Sequence, residues 1–544
     1  MLIDVTPTTA NTLVPFVSAL SEPLKRHVQQ QPARIATGTS DLRTTITYRQ
    51  LEALVDSAMA QLYLMGLKRG DTVALLSDNS VEFVVGLLAT MFLGARVAPL
   101  NPALTSNELS TRLSQLSANA LLVIGPLANQ PGFANFVPQN CPSWIIDVEG
   151  SSSTSEVRIV DKQGHTAAPG STAKPKIFAE PDDTALLMFT GGTTGPPKLV
   201  PLTHGNIAAS IEHISSGYAL SPNDTTLLVM PLFHGHGLIA GLLSTLVSGG
   251  GAYMPSTGTF SAHLFWPDVV RLGVTWYTAV PTIHRILLNR ASKEYPKSSP
   301  VPLRFIRSCS APLDEELAAA ASITFRAPMI SAYGMTETSH QLSSNPLPVN
   351  GPNKMSSAGL PTGVEVRIVG EGGQDVPPGS IGEIWVRGAT VTHGYLGNPE
   401  ANSASFVDGW FRSGDLGRRD EDGYIYVTGR LKEMINRAGE KISPSDIDAV
   451  LLSHPKVLEG ASFGEADAIY GENVQAAVIL RPGASASENE LRDYCRARLT
   501  NFEVPERIYI VADFPHTAKG SIDRHALAAR FAQSGAGVSS GEIK

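Results

Sequence analysis

Cysteine is scarce: Cys141, Cys309 and Cys495 are the only three in 544 residues, and none stands at a paired spacing. That argues against a disulfide framework or a thiolate zinc site and favours a reducing compartment. Charged residues are thin at 17%, with 42 Lys and Arg against 50 Asp and Glu and a formal net charge of −8. This balance speaks against a nucleic-acid partner, because affinity for a phosphate backbone comes from clustered Lys and Arg. The N-terminal MLIDVTPTTANTLVPF has no basic n-region, and the C-terminal GEIK is not the Ser-Lys-Leu peroxisomal address. The stretch from Thr225 to Pro267 holds no Asp, Glu, Lys or Arg, yet Pro231, His234, His236, Pro255 and several glycines interrupt it. It therefore reads as buried core and not as a membrane span. The expectation is a cytoplasmic protein with no membrane partner, monomeric or homodimeric.

What is present points to a soluble enzyme of more than one domain. The length exceeds what a single core usually supports. A 42% hydrophobic content with 49 Gly and 38 Pro fits a loop-rich α/β chain. Thr47–Leu64 suits an amphipathic helix, Asp71–Asn79 a strand and turn, and the VEFVVGLLATMFLGA segment the helix after it. Ala185–Phe189, Leu227–Met230 and Thr275–Val280 read as buried strands. Strand–helix alternation of this kind predicts mostly parallel sheets with helices on both faces. Gly150–Glu156 and His165–Lys174 read as loops. A boundary falls near Gly429–Glu433: before it lies the strand-and-turn texture of a small β subdomain. After it comes a helix with Ser443 at its N-cap, Pro444 at its first position and a stripe of Ile447, Val450 and Leu451.

The segment Thr190–Val200, TGGTTGPPKLV, follows directly on the apolar strand ALLMF. Gly191, Gly192 and Gly195 permit close backbone approach, Thr190, Thr193 and Thr194 offer hydroxyls, and Lys198 a cation, which suits a polyphosphate. The spacing is not that of the GxxxxGK[ST] loop. Further along stand YGMTE at Tyr333–Glu337, GWFRSGDLG at Gly409–Gly417 and GRLKEMINRAGEKISP at Gly429–Pro444. In these motifs and their order the chain resembles the adenylate-forming acyl-CoA synthetase superfamily, over about Thr47 to Arg524.

The resemblance implies an α/β fold: a large N-terminal domain (1–430) of two stacked α/β sheets, with a β-barrel-like subdomain from about 350. A small mobile C-terminal α+β domain (431–544) would follow, with its hinge at Lys432. It implies ATP, Mg²⁺ and coenzyme A as the cofactor and co-substrates, and a small carboxylic acid as substrate. Ser331, Ala332 and Tyr333 would belong to the ATP/AMP site, with the Tyr333 ring as stacking face for the adenine. Thr336 would donate to the α-phosphate, Glu337 would hold Mg²⁺ as a hard oxygen ligand, and Asp415 and Arg430 would take the ribose. Gly439, Glu440 and Lys441 would line the pantetheine tunnel. A carboxylate attacking a phosphate brings two anions together, so Lys198, Mg²⁺ and backbone N–H groups are needed to neutralise them.

One departure stands out. The family's C-terminal motif places a lysine where this chain has Ser521, in PHTAKGSIDR, and Lys519 stands two residues earlier. Losing a preorganised cation at a reacting centre costs about 10²–10³ in rate. Three readings stay open: weakened adenylation, an engineered change that traps one conformation, or partial compensation by Lys519 from a Cα displaced by about 6–7 Å.

The acid pocket of the family lies among PLFHGHGL, RSCSAPL and the helix after Glu337. His234, Ser310 and His340 would converge there, polar groups suited to a short acid with a second charged or polar end. The segments LFHGHGLIAGLLS, TWYTAVPTIH, RFIRSCSA and SSNPLP resemble in particular the oxalate–CoA ligases of plants and fungi. A ligase for another short acid, a carrier-protein thiol as acceptor, or an ATP-binding relative without full activity are the alternatives.

Overall fold

The computed structural model describes residues 16–129, 133, 141–151, 154–166, 179–190, 197–296, 301–438, 440–467, 469–515 and 522–535. Local sequence explains the first elements. The helix Tyr48–Leu64 starts at a capping box in which the Thr47 side chain accepts from Gln50 N–H while the Gln50 side chain accepts from Thr47 N–H. Ser80 caps the next helix, Val81–Phe92, whose residues other than Glu82 are all buried. A helix apolar all round needs cover on every side. It finds that cover between two sheets.

The first sheet has seven strands, ordered Thr154–Asp161, Ser143–Ser151, Ala120–Ile124, Thr72–Leu76, Arg96–Leu100, Thr184–Phe189 and Leu199–Thr203. Its centre is parallel and both edges are antiparallel. The second has nine, ordered Leu360–Pro361, Ser343–Ser344, Met329–Tyr333, Phe305–Ser308, Trp276–Ala279, Thr225–Leu227, Gly251–Met254, Ile35–Thr39 and Thr45–Thr47. One continuous apolar core runs from Val73 and Leu75 of the first sheet through the intervening helices to Trp276 and Phe305 of the second. A separate core, with Trp266, Tyr277 and Phe325, covers the far face of the second sheet.

An antiparallel five-stranded sheet follows, built around the long strand Trp410–Arg419. The C-terminal part has its own five-stranded sheet and its own core of Ile435, Ile447, Leu451, Val474 and Leu491. Its helix Pro444–Leu452 begins as expected, but the Ser443 hydroxyl does not cap it. That hydroxyl donates to Thr428 O at 2.8 Å instead.

One expectation needs correction. The segment Gly150–Glu156 is not a loop: the strands Ser143–Ser151 and Thr154–Asp161 pair as a hairpin whose register continues to Ser151 opposite Thr154. Its Gly/Ser composition hid strand residues held by cross-strand pairing. The stretch from Thr225 to Pro267 is largely buried and contains an eight-residue π-helix, His236–Leu243. No helix among the described residues is long and apolar enough to cross a membrane.

Candidate active site

The Gly/Thr-rich segment joins two antiparallel strands, Thr184–Phe189 and Leu199–Thr203. Residues Gly191, Gly192, Thr193, Thr194 and Gly195 lie outside the described residues, but the base of the loop is well defined. Thr190 N–H donates to Lys198 O at 2.9 Å, and Lys198 N–H donates to the Thr190 hydroxyl at 3.1 Å. This clasp puts Lys198 at the mouth of the loop. Leu396 N–H donates to Leu199 O at 2.8 Å and so brings the neighbouring Tyr395 beside it. The Lys198 ammonium sits 4.2 Å from the Tyr395 ring centre.

Tyr395 also ties the cation to an acid. Its hydroxyl donates to Glu337 Oε1 at 3.0 Å. Burial lowers the Lys198 pKa, Glu337 opposes that shift and Lys432 reinforces it, so the expected hinge lysine shares the electrostatics of this site. Among the described residues no group of three His, Cys, Asp or Glu gathers to hold a metal. A single carboxylate such as Glu337 fits Mg²⁺, which binds through one or two carboxylates plus substrate phosphates.

Tyr333, at the end of the strand Met329–Tyr333 that carries Ser331 and Ala332, donates its hydroxyl to Asp415 Oδ2 at 2.5 Å. Arg430 Nε approaches Asp415 Oδ1 at 3.0 Å. Burial pushes the Asp415 carboxyl up, against the pull of Arg430 and of the Tyr333 hydroxyl. Thus Tyr333, Asp415 and Arg430 form one unit: Asp415 and Arg430 face each other in register on consecutive antiparallel strands, and Tyr333 joins them from a strand far away in sequence. Thr336 and Glu337 begin a single 3₁₀ turn, Thr336–Thr338. The helix expected after Glu337 is absent. The chain turns back sharply, with Ser339 and His340 at φ of 51° and 67° and His340 N–H donating to Met335 O at 2.9 Å. Gly334 makes the return possible, since a Cβ there would lie 2.5 Å from His340 O.

His340 is therefore buried and not on a helix surface. Its Nε2 lies 3.3 Å from Ser310 Oγ, so two of the expected pocket residues meet. Ser310 itself holds φ at 72°, a left-handed conformation costing about 1–3 kcal/mol for a non-glycine residue and frequent at functional sites. His234 is half-buried with its ring against Phe233. The histidine bonded to Ser310 is His236, whose Nδ1 is 3.0 Å from the Ser310 hydroxyl oxygen and whose ring stacks on His340 at 4.8 Å. Burial, with His340 and Arg307 adding to it, holds the His236 pKa well below its ordinary value. Behind it lie Thr278, Arg307, Gln341 and Tyr218 in one buried polar chain. Sequence reasoning passed over His236, Arg307 and Tyr395. The signals were the paired histidines of HGH, a lone Arg inside the apolar strand Phe305–Ser308, and the Tyr of GYL.

On the C-terminal side Glu440 is exposed on the short strand Glu440–Ile442, and Lys441 forms an ion pair with Glu371 of the neighbouring β subdomain. Lys432 sits in the 3₁₀ turn Leu431–Glu433. Arg524, the last residue of the C-terminal motif, is paired with Asp448 and lies 3.5 Å from Glu433. Gly439, Lys519 and Ser521 are outside the described residues.

Comparison with known proteins agrees with this arrangement. Residues 24–396 match the AMP-binding enzyme family and residues 446–521 the AMP-binding enzyme C-terminal domain. The chain is 43% identical to an oxalate–CoA ligase of Arabidopsis thaliana, covering 94% of this chain and 98% of that one. It is 37% identical to an oxalate–CoA ligase of Saccharomyces cerevisiae, covering 92% and 95%. The crystal structure of ATP-bound MatB from Rhodopseudomonas palustris superposes with a TM-score of 0.84 at 28% identity, over 95% of this chain and 99% of that one. Motifs, fold and relatives agree: the chain belongs to the AMP-binding enzyme family, as an AMP-forming acid–CoA ligase of the adenylate-forming acyl-CoA synthetase superfamily.

Proposed function

We propose that the acid is oxalate, and that the enzyme joins it to CoA through an oxalyl-adenylate, releasing pyrophosphate and then AMP. The observation that carries this reading is the contact of Ser310 with both His236 and His340. These three side chains make a polar wall where an aliphatic acid would need an apolar one. Leaving such groups unpaired against a methylene costs about 1–3 kcal/mol each, which disfavours longer apolar acids. The names of the two relatives support the same acid.

Within this reading Thr190, Lys198 and the loop between them hold the phosphates. Tyr333, with Ser331 and Ala332, takes the adenine, and Asp415 and Arg430 take the ribose. Glu337, with Thr336 beside it, is the residue that would hold Mg²⁺, which supplies neutralising charge to the phosphates when bound. Lys198 aligns the negative oxygens, and Tyr395 keeps Lys198 and Glu337 from collapsing onto each other. Lys432 serves as hinge between residues 1–430 and 431–544, and Gly439, Glu440 and Lys441 line the path of the CoA thiol. Ser521 leaves adenylation weaker than a lysine would.

The test is AMP release across a panel of short acids with ATP, Mg²⁺ and CoA. Oxalate-dependent release in excess of malonate, succinate, acetate and benzoate is expected. Release with one of those acids and none with oxalate would refute the assignment.

A further inference from the structure

Arg307 is fully buried, in register with Thr278 on the adjacent parallel strand. Its guanidinium meets three neutral oxygens, Tyr218 Oη at 3.1 Å, Thr278 Oγ1 at 3.1 Å and Gln341 Oε1 at 3.0 Å, and also interacts with the Cys309 side chain. No carboxylate lies within ion-pair distance of it among the described residues. A buried cation without a carboxylate partner is costly and calls for a reason.

A guanidinium can only donate. Thr278 Oγ1 must therefore accept from Arg307, which turns its own hydrogen away from the cation. His236 Nε2 lies on that side at 2.6 Å and receives it. With Nε2 accepting, the neutral imidazole carries its hydrogen on Nδ1 and donates to Ser310 Oγ, 3.0 Å away. Ser310 then keeps its own hydroxyl hydrogen; with His340 Nε2, 3.3 Å away, as the donor of their contact, that hydrogen is left for a ligand, and the Ser310 side chain is at an exposed position. The reverse order would leave the buried Thr278 hydroxyl hydrogen without an acceptor among the described residues and point its dipole against Arg307.

We propose that Arg307 is a positioning residue for acid selection: it sets the hydrogens of Thr278, His236 and Ser310 in one direction, so that the Ser310 hydroxyl donates to the second carboxylate of a small diacid. Its ligand rests on the oxalate reading above, whereas the hydrogen order does not.

Two measurements on the full-length protein separate them. Ring ¹⁵N shifts of labelled histidine, with His236 identified by a His236→Gln variant, are expected to show His236 as the Nδ1–H tautomer without any acid present. The Nε2–H tautomer would overturn the proposal. Thr278→Val, close in shape but without the hydroxyl, is expected to lose that tautomer preference, and Thr278→Ser to restore it. The second readout is the ratio of the oxamate inhibition constant to the oxalate KM, since oxamate replaces one carboxylate by a neutral amide. The ratio is expected to fall about 10- to 100-fold in Arg307→Gln and in Thr278→Val. A ratio within twofold of the parent in a folded Thr278→Val would overturn the selective role. If oxalate gives no AMP at all, the oxalate reading fails and the tautomer alone decides the relay.

Discussion

Tyr395→Phe is the most informative single change in the nucleotide site. Tyr395 is buried, its hydroxyl donates to Glu337 Oε1 at 3.0 Å, and its ring stands 4.2 Å from the Lys198 ammonium. The phenylalanine keeps the ring and the volume and removes only the hydrogen bond. A hydrogen bond to a charged group contributes about 1.5–3 kcal/mol. If half of that survives into the reacting complex, acid-dependent ATP–pyrophosphate exchange falls about 3- to 15-fold. The half-saturating Mg²⁺ concentration should rise with it, because Glu337 is then free to turn away. Tyr395→Leu also removes the ring from Lys198, adding about 0.5–2 kcal/mol, and should raise the KM of ATP further. Thioester formation from supplied acyl-adenylate needs neither Mg²⁺ nor pyrophosphate departure and should change less than about twofold, within the range of an ordinary surface change. Equal losses in both half-reactions, or an unchanged Mg²⁺ dependence in Tyr395→Phe, would refute the reasoning.

Other predictions follow from the same geometry. Asp415→Asn removes the charge and one of the two acceptor oxygens that serve Tyr333 and Arg430, and ATP binding measured by calorimetry should weaken about 10- to 100-fold. Ser521→Lys restores the cation of the family motif, and pyrophosphate exchange should rise by about 10²–10³; an unchanged rate would mean that Ser521 does not limit adenylation. Gly334→Ala places a Cβ 2.5 Å from His340 O, so the melting temperature should drop and the KM for the acid should rise; a variant with parental values would disprove the tight return at His340. His284 is buried, and burial lowers its pKa from 6.5 to about 3. A folded-state pKa below the unfolded one means that the unfolded chain takes up the proton first. Stability is then complete above 6.5 and is lost as pH falls toward 3. At pH 5 the loss is about 2 kcal/mol, and His284→Gln should flatten the melting-temperature profile between pH 7 and 5.

The expected strands at Ala185–Phe189 and Thr275–Val280 and the helices at Thr47–Leu64 and Val81 onward are present with ends shifted by a few residues. They were legible because each carries its own signal, a capping residue or an unbroken apolar run. The hairpin across residues 143–161 was not, since Gly and Ser give no periodicity and cross-strand pairing holds them. In the site, Lys198, Glu337, Asp415 and Arg430 could be named because they sit in short motifs of distinctive composition. His236, Arg307 and Tyr395 could not: a histidine in an apolar run, an arginine in a strand and a tyrosine after a glycine are each ordinary until their neighbours are known.

Composition and local patterning thus determined by themselves an α/β chain of more than one domain, and the motifs in their order carried the resemblance to adenylate-forming enzymes and the proposal of which short segments face the nucleotide. Tertiary structure decided how those segments meet. Residues 307 and 236 lie far apart along the chain, and only parallel strand register puts Thr278 between Arg307 and His236. The direction of a hydrogen bond depends on both of its ends, so the character of the acid pocket could emerge only from groups that folding brings together.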